Sequence, residues 1–364
     1  MPLRALVDGA DVVAPLVSDQ TWAAITERVR REPNVCRLPC CETPAYTRVS
    51  VRGVRHFVHR ASQGDACGAA SAPESELHLR AKAIVAGALA ELGFTVLTEA
   101  AGLDWRADVL GRRDGAARAV AVEIQCSPQS PAETETRQHR YRRDGILGVW
   151  FATYVPPGLA PARDRPVFPL VDDTVPRVRL NGRAYALDDF LRLLFTKQIR
   201  FCERARTQRR QRIDTDVRIV VCPQPCGAPS LVWYHSGRVR SPCGLALADD
   251  AWKPHDAAGG FRPDIDAIPT QLPPPAVVAR TDGVGRAGVR FDGQRAFGGE
   301  RRSRLVAAFR CPACGTRFTP RLLQHEYFAR PPAATMRREI RLAAPLYELR
   351  PHWCLPHGGR SFCE

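Results

Sequence analysis

Apolar and polar positions follow helix and strand periods in a clear order between residues 71 and 154. Leu77, Ala81, Ile84, Val85, Ala88, Leu89 and Leu92 recur at helical spacing, which predicts a helix capped by Ser71 or Ser75. Three short strands follow, the last two around Trp105-Arg-Ala-Asp-Val-Leu110 and Ala119-Val-Ala-Val-Glu-Ile-Gln-Cys126. In the third, a side-chain period of two puts Val120, Val122 and Ile124 on one face and Ala121, Glu123 and Gln125 on the other. Gly111-Arg-Arg-Asp-Gly115 predicts a hairpin that makes the second and third strands antiparallel. A second helix opens at Ser130-Pro-Ala-Glu133, a capping-box pattern with proline at the first helical position. It yields at Asp144-Gly145 to another strand, Leu147–Tyr154.

The flanks read less regularly. Asp19–Arg30 predicts a short amphipathic helix capped by Asp19 or Thr21, and Ala45–His59 a strand pair turning near Arg52-Gly53. Residues 61–73 have linker composition, and residues 155–175 are a proline-rich loop. Asn181-Gly182 marks a tight hairpin. Asp188-Asp189 opens a helix carrying Phe190, Leu191, Leu194, Phe195 and Phe201, with a basic far end that includes Arg204, Arg209, Arg210 and Arg212. Beyond residue 213 come a strand running into Cys222 and a hairpin near Ser236-Gly237. Residues 250–300 are Gly/Pro-rich and show little periodicity. These shifts predict an N-terminal extension (1–32), a zinc-bearing β module (33–62), an α/β domain ending in a basic helix (71–213) and a Cys-rich, zinc-ribbon-like region (214–364).

Charge adds a direction. The chain carries 53 Lys and Arg against 38 Asp and Glu, a formal net charge of +15. Arginine pairs well with phosphate, so the balance fits a polyanionic partner, and a GC-rich coding bias accounts for part of it. Arg204, Arg209 and Arg210 are candidate phosphate-backbone contacts. No run of eighteen apolar residues predicts a membrane span, and the N-terminus does not read as a signal peptide, so the expected place is the cytoplasm.

Thirteen cysteines in a chain expected in a reducing compartment point to metal rather than disulfides. Cys36, Cys40 and Cys41 with His56 and His59 are candidate ligands of an N-terminal Zn2+, with either Cys40 or Cys41 in the set. Cys311-Pro-Ala-Cys314-Gly is a zinc-knuckle pattern. Its partners are Cys222 with Cys226, or Cys354 with His357 or Cys363, and spacing does not choose between them.

The acidic residues in the central block carry the candidate chemistry. Asp108 lies in an apolar setting and Glu123 interrupts the most hydrophobic strand. A buried carboxylate is costly unless it is paired, protonated or bound to metal. If the hairpin brings the two together at one end of the sheet, a Mg2+ or Mn2+ between them relieves their repulsion and suits phosphate chemistry. Glu76 sits in the first turn of the preceding helix. Arg137 and Tyr141 recur on one face of the second helix as candidate substrate contacts. His78 and His139 gain no partner from the sequence and read as surface residues.

These residues carry a resemblance. Ser75-Glu76-x-His78, Arg106-Ala-Asp108-Val, Val122-Glu-Ile-Gln-Cys-Ser127, Ser130, Glu133, Arg137, Tyr141 and Trp150 resemble the nuclease domain of the competence protein CoiA family. That family is a branch of the restriction-endonuclease-like fold, with the motif D…(D/E)xK. The likeness extends from Cys36 and His56-Phe-Val-His59 to Leu187-Asp-Asp-Phe190, roughly residues 30–200. It implies a restriction-endonuclease-like α/β core, a mixed central sheet flanked by helices, and cytoplasmic, metal-dependent DNA cleavage. Asp108 and Glu123 take the place of the catalytic acids, with Glu76 as a supporting carboxylate. Gln125 stands where the general motif has lysine; an amide only orients a water or a phosphate oxygen. Two other readings remain open: a nucleic-acid-binding protein that keeps the fold without the chemistry, and an interaction scaffold built on zinc modules.

Overall fold

The structure, a computed structural model, describes residues 2–32, 34–59, 74–208, 210–236, 239–247, 285–286, 288–294, 304–341, 347–357 and 361–363. These fall into two units, Met1–Phe201 with Pro351–Leu355, and Cys202–Arg350 with Pro356–Glu364.

The first unit opens with strands β1 (Arg4–Val7) and β2 (Ala10–Val13), then helix α1 (Asp19–Arg31). The cap of α1 is Ser18, one residue before the expected Asp19; its Oγ accepts from Thr21 N at 3.0 Å. Strand β3 (Cys36–Arg37) pairs with β1, and β4 (Ala45–Val49) with β5 (Arg55–His59). Trp22, Ile25 and Val29 of α1 share one core with Cys36, Leu38, Ala45 and Phe57. Residues 2–32 and 34–59 therefore share one core rather than packing as separate pieces.

Helix α2 (Glu76–Glu91) is capped by Ser75, whose side chain accepts from His78 N. A sheet follows, built from β6 (Thr95–Ala101), β7 (Arg106–Arg112), β8 (Ala119–Gln125), β9 (Ile146–Ala152), β10 (Val167–Val171), β11 (Arg177–Leu180) and β12 (Arg183–Ala186). Their spatial order is β12-β11-β10-β9-β8-β7-β6. The β6–β7–β8 pairs are antiparallel, β8–β9–β10 parallel, and β10–β11–β12 antiparallel, so the sheet is mixed. The capping box predicted at Ser130 opens α3 (Pro131–Arg143), the crossover from β8 to parallel β9. Asn181 and Gly182 both take positive φ, 50° and 83°, as the two-residue turn between β11 and β12 requires.

Helices α2 and α4 (Leu187–Phe195) cover one face of the sheet, and α3 the other. Val85 and Leu89 of α2 are fully buried against Val120, Val122 and Ile124. Full burial of such side chains stabilises by about 1.5–3 kcal/mol each. On the opposite face Tyr141 of α3 packs with Ala121 and Trp150. The face assignment read from the period of β8 holds.

The basic helix does not. Helix α4 ends at the C-cap Thr196, and Lys197 turns into the left-handed region at φ 61°. The chain continues as strands β13 (Arg200–Arg206) and β14 (Arg210–Val221). Arg204 and Arg210 thus lie exposed on strands, and Arg209 falls outside the described residues.

The second unit continues with β15 (Pro229–Ser236), β16 (Val239–Arg240), β17 (Ala246–Leu247), β18 (Gly285–Arg286), β19 (Gly288–Gln294), β20 (Arg304–Arg310), α5 (Pro320–Ala329), β21 (Ala334–Arg341) and β22 (Tyr347–Cys354), the last ending in the first unit. Its four-stranded sheet has the order β18-β15-β14-β21, and β16 with β17 and β19 with β20 form two-stranded sheets. Among the described residues no helix is long and apolar enough to cross a membrane.

Candidate functional site

Strands β7 and β8 part at Asp108 and Glu123. Their Cα pairing ends at Val109–Val122; beyond it the Asp108 carboxylate receives the Ile124 N–H at 2.8 Å. Strand β7 also turns over here. Val109 belongs to the core under α2, whereas Ala107 belongs to the core under α3. A regular strand would put residues two apart on one face. The neighbouring strand departs from ideal geometry at the same level, because Glu99 in β6 has φ 49°. Its pairing with β7 runs from Thr98–Val109 to Ala100–Ala107 across this residue.

Asp108 faces α2. His78 Nε2 lies 3.2 Å from its Oδ2, and Asp108 keeps 20 % side-chain exposure. Three positions on one face of α2 and its approach, Glu74, His78 and Lys82, line this side at four-residue spacing. Lys82 has no exposed side-chain surface and is held by Glu74 at 2.6 Å and by the strained Glu99 at 2.7 Å. Burial opposes the Asp108 charge, but His78, Lys82 and the Ile124 N–H outweigh it and hold the carboxyl down at about 2. Burial alone would discharge Lys82, yet Glu99, Glu74 and Asp108 raise its pKa above the ordinary lysine range.

Glu123 faces α3 and is almost wholly enclosed, at 3 % side-chain exposure. Its Oε2 lies 2.7 Å from Arg137 Nη2 and its Oε1 is hydrogen-bonded to the Tyr141 hydroxyl. Tyr141 Oη is also 3.1 Å from the Arg106 carbonyl. The chain of contacts serves both charge states. An ionised Glu123 accepts from Tyr141, and a protonated one donates to it while Tyr141 donates to Arg106. Burial and the neighbouring Asp108 push the Glu123 carboxyl up, more than Arg137 and Tyr141 pull it down. The two carboxyls thus have opposite tendencies: the surroundings of Asp108 favour its charged form, and those of Glu123 disfavour it.

Arg137 lies with its guanidinium 4.7 Å over the Trp150 ring, and Trp150 is the Cα partner of Glu123 across β8–β9. Trp150 is itself fixed, since its Nε1 donates to Gln138 Oε1 at 2.7 Å. Gln125 uses its amide nitrogen on Ser127, donating to both O and Oγ at 2.9 Å, so that Oε1 turns toward Arg137 at 3.5 Å.

Several expectations change. Glu76 does not join Asp108: its Oε1 accepts from Ser50 Oγ at 2.8 Å, and it lies two residues from His78 on a different face of α2. Tyr141 is fully buried and serves Glu123 rather than reaching out to a substrate. His78, read as a surface residue, is half-buried and lies 3.2 Å from Asp108. Its spacing from Glu74 and Lys82 was visible, but nothing local tied that face to Asp108, thirty positions on. As a cation site the pair fits in part. Asp108 is ionised and its Oδ1 takes no hydrogen bond among the described residues. Glu123 has a suitable oxygen, but both of its oxygens are engaged by Arg137 and Tyr141. No group of three metal ligands forms at this pair among the described residues.

The thiol clusters fit metal better. Cys222, Cys226, Cys311 and Cys314 bring their sulfurs within 4.8 Å of one another. Cys226 Sγ is 3.4 Å from Cys314 and 3.8 Å from Cys311, and Cys222 is 3.7 Å from Cys314. Tetrahedral zinc with bonds of about 2.3 Å sets its sulfurs about 3.8 Å apart. Four thiols close such a site, so it takes neither Cys354 nor His357. Each ligand pair sits on a turn closed by backbone hydrogen bonds, Cys222 N to Ala228 O and Cys311 N to Thr316 O. Elsewhere in this unit Cys243 and Cys363 lie 3.6 Å apart.

The N-terminal group is Cys40, Cys41 and His59. His59 Nε2 is 3.3 Å from Cys41 Sγ and 4.0 Å from Cys40 Sγ. Two expected ligands stay out. Cys36 is buried in the apolar core, which pushes its thiol up to about 11. His56 sits three residues from His59, on the other face of β5, with Nδ1 at 3.1 Å from the Val54 carbonyl. Both Cys40 and Cys41 take part, and no fourth ligand joins among the described residues.

Residues 74–154 match the family described as "Competence protein CoiA, nuclease-like domain". This segment begins at Glu74 and holds Asp108, Glu123 and Arg137. Among curated proteins none matches the chain. A solved structure, the SPO1766 protein of unknown function from Silicibacter pomeroyi, is similar at 19 % identity over 34 % of this chain and 87 % of that one, with a TM-score of 0.22. A TM-score this low does not establish a common fold.

Proposed function

We propose that this protein is a restriction-endonuclease-like nuclease that hydrolyses phosphodiester bonds in DNA, with Mg2+ or Mn2+ at Asp108 and Glu123. The observation that carries this reading is the pair itself: two carboxyls whose surroundings shift them in opposite directions where β7 and β8 part, inside the segment similar to the CoiA nuclease-like domain. A divalent cation there supplies charge to polarise a phosphate oxygen and lowers the pKa of a bound water.

The chain's own residues have distinct parts. His78 and the Ile124 N–H fix the Asp108 carboxylate, leaving Oδ1 for the cation. Arg137, 32 % exposed, offers its guanidinium to a substrate phosphate. Gln125, braced by Ser127, orients Arg137. The exposed Arg204 and Arg210 add backbone contacts that are salt-sensitive and indifferent to sequence. Zn2+ in the four-thiol cluster folds its two turns together, and a second Zn2+ at Cys40, Cys41 and His59 does the same near the N-terminus. A cytoplasmic setting keeps these thiols reduced.

A second reading has its own support. Both Glu123 oxygens are engaged and Gln125 lacks the charge of a lysine, as in a DNA-binding protein that has lost cleavage. The test is incubation of linear duplex, single-stranded and branched DNA with the protein in Mg2+ and then Mn2+. Cleavage of any substrate supports the nuclease; salt-sensitive binding without cleavage of any of them supports the second reading.

A further inference from the structure

We infer that Arg137 is a latch on Glu123: its guanidinium holds the carboxylate while nucleic acid is absent, and a phosphodiester that draws it away frees Glu123 for a cation. The inference rests on the nuclease reading above for the identity of both ligands.

The guanidinium and a divalent cation compete for one atom. Arg137 Nη2 stands 2.7 Å from Glu123 Oε2. Mg2+ would need to lie about 2.0–2.1 Å from that oxygen. Both cannot occupy the same side of a carboxylate whose other oxygen already meets Tyr141. Among the described residues no other basic side chain pairs with Glu123. Lys82 cannot replace Arg137, since it is fully buried between Glu74 and Glu99.

Arg137 is also built to move. A guanidinium has five N–H donors, and among the described residues only Nη2 makes a short contact; Nη1 lies 3.5 Å from Gln125. About a third of the side chain is open to solvent, so the unused donors are within reach of an incoming anion. The Trp150 face beneath it is anchored by Gln138, and it supports the cation as the guanidinium shifts. The two non-bridging oxygens of a phosphodiester offer the two-pronged acceptor that the planar guanidinium fork binds well. Nucleic acid and cation then favour each other's binding, and by linkage the effect is reciprocal.

The test is Mn2+ binding followed by electron paramagnetic resonance over a pH series common to all variants, because losing Arg137 favours the protonated form of Glu123 and the comparison is made where binding has levelled off with pH. Oligothymidylate should tighten Mn2+ binding to the wild type by at least about fivefold. Arg137→Gln should bind Mn2+ that tightly without the oligonucleotide and gain nothing when it is added. Asp108→Asn should weaken binding in both states, which locates the ion. Should Arg137→Gln fail to fold, Arg137→Met takes its place, because it keeps an unbranched stem without a donor for Glu123, and it should bind Mn2+ more tightly than wild type. Wild-type affinity unchanged by oligothymidylate, or a folded Arg137 variant no tighter than wild type, overturns the latch. Cleavage without this linkage removes the latch and leaves the nuclease; linkage without cleavage removes the nuclease and leaves the latch.

Discussion

Glu123 gives Oε2 to Arg137 at 2.7 Å while only 3 % of its side chain is exposed, so its charge is settled inside the protein. Its ionisation therefore becomes part of folding stability. Its carboxyl is raised from 4.5 to about 8 in the fold. The folded state then holds a proton that the unfolded state releases, a contribution fully present below 4.5 and lost as pH rises through about 8. Asp108 works the other way: its carboxyl is lowered from 3.8 to about 2, so its contribution is present above 3.8 and lost as pH falls through about 2. Urea midpoints of wild type and Glu123→Gln should converge or cross in favour of the variant as pH rises through this upper window. Parallel curves would show that Glu123 is ionised throughout.

Lys82 is the second buried charge. Lys82→Met leaves Glu74 and Glu99 facing each other without their cation. Removing one partner of a buried ion pair costs about 3–5 kcal/mol. Urea denaturation should register a loss of that order. A loss below about 1 kcal/mol would mean that the three groups are hydrated rather than paired.

Gly148 lies where β9 passes under Gln138. A Cβ at this position would meet Gln138 Oε1 at 2.3 Å. Gln138 would have to move, releasing Trp150 Nε1. Gly148→Ala should cost about 1–3 kcal/mol as an overpacked site and shift the tryptophan emission. Unchanged stability and emission would contradict the close approach.

The thiol clusters should behave independently. Cys226→Ser should lose the zinc held by the four-thiol group, measured by atomic emission, and leave the N-terminal metal in place. Cys41→Ser should do the reverse. Loss of both metals in either variant would show that the two groups are not separate sites.

Much of this arrangement can be read from the chain, and the failures have physical causes. The capping box at Ser130, the turn at Asn181-Gly182 and the two faces of β8 are local patterns, and each is present. His56 and His59 could also have been separated in advance, because a two-residue period sets residues three apart on opposite faces. The end of α4 gave no such sign. Lys197 takes the left-handed conformation usually marked by glycine, and the arginines that follow suit helix or strand equally. The reversal of β7 at Asp108, with the strain at Glu99 beside it, depends on contacts between distant segments. The partnership of His78 with Asp108 therefore has no local signature. The choice of Cys222 and Cys226 to complete the zinc group spans 85 to 92 positions, beyond any spacing rule.

The most direct measurement is cleavage under single turnover by wild type, Asp108→Asn and Glu123→Gln, with matched zinc content and matched DNA binding. Wild type should cut DNA in Mg2+ or Mn2+, and both variants should bind it without cutting. Cleavage by both variants at the wild-type rate would contradict it and move the chemistry away from this pair.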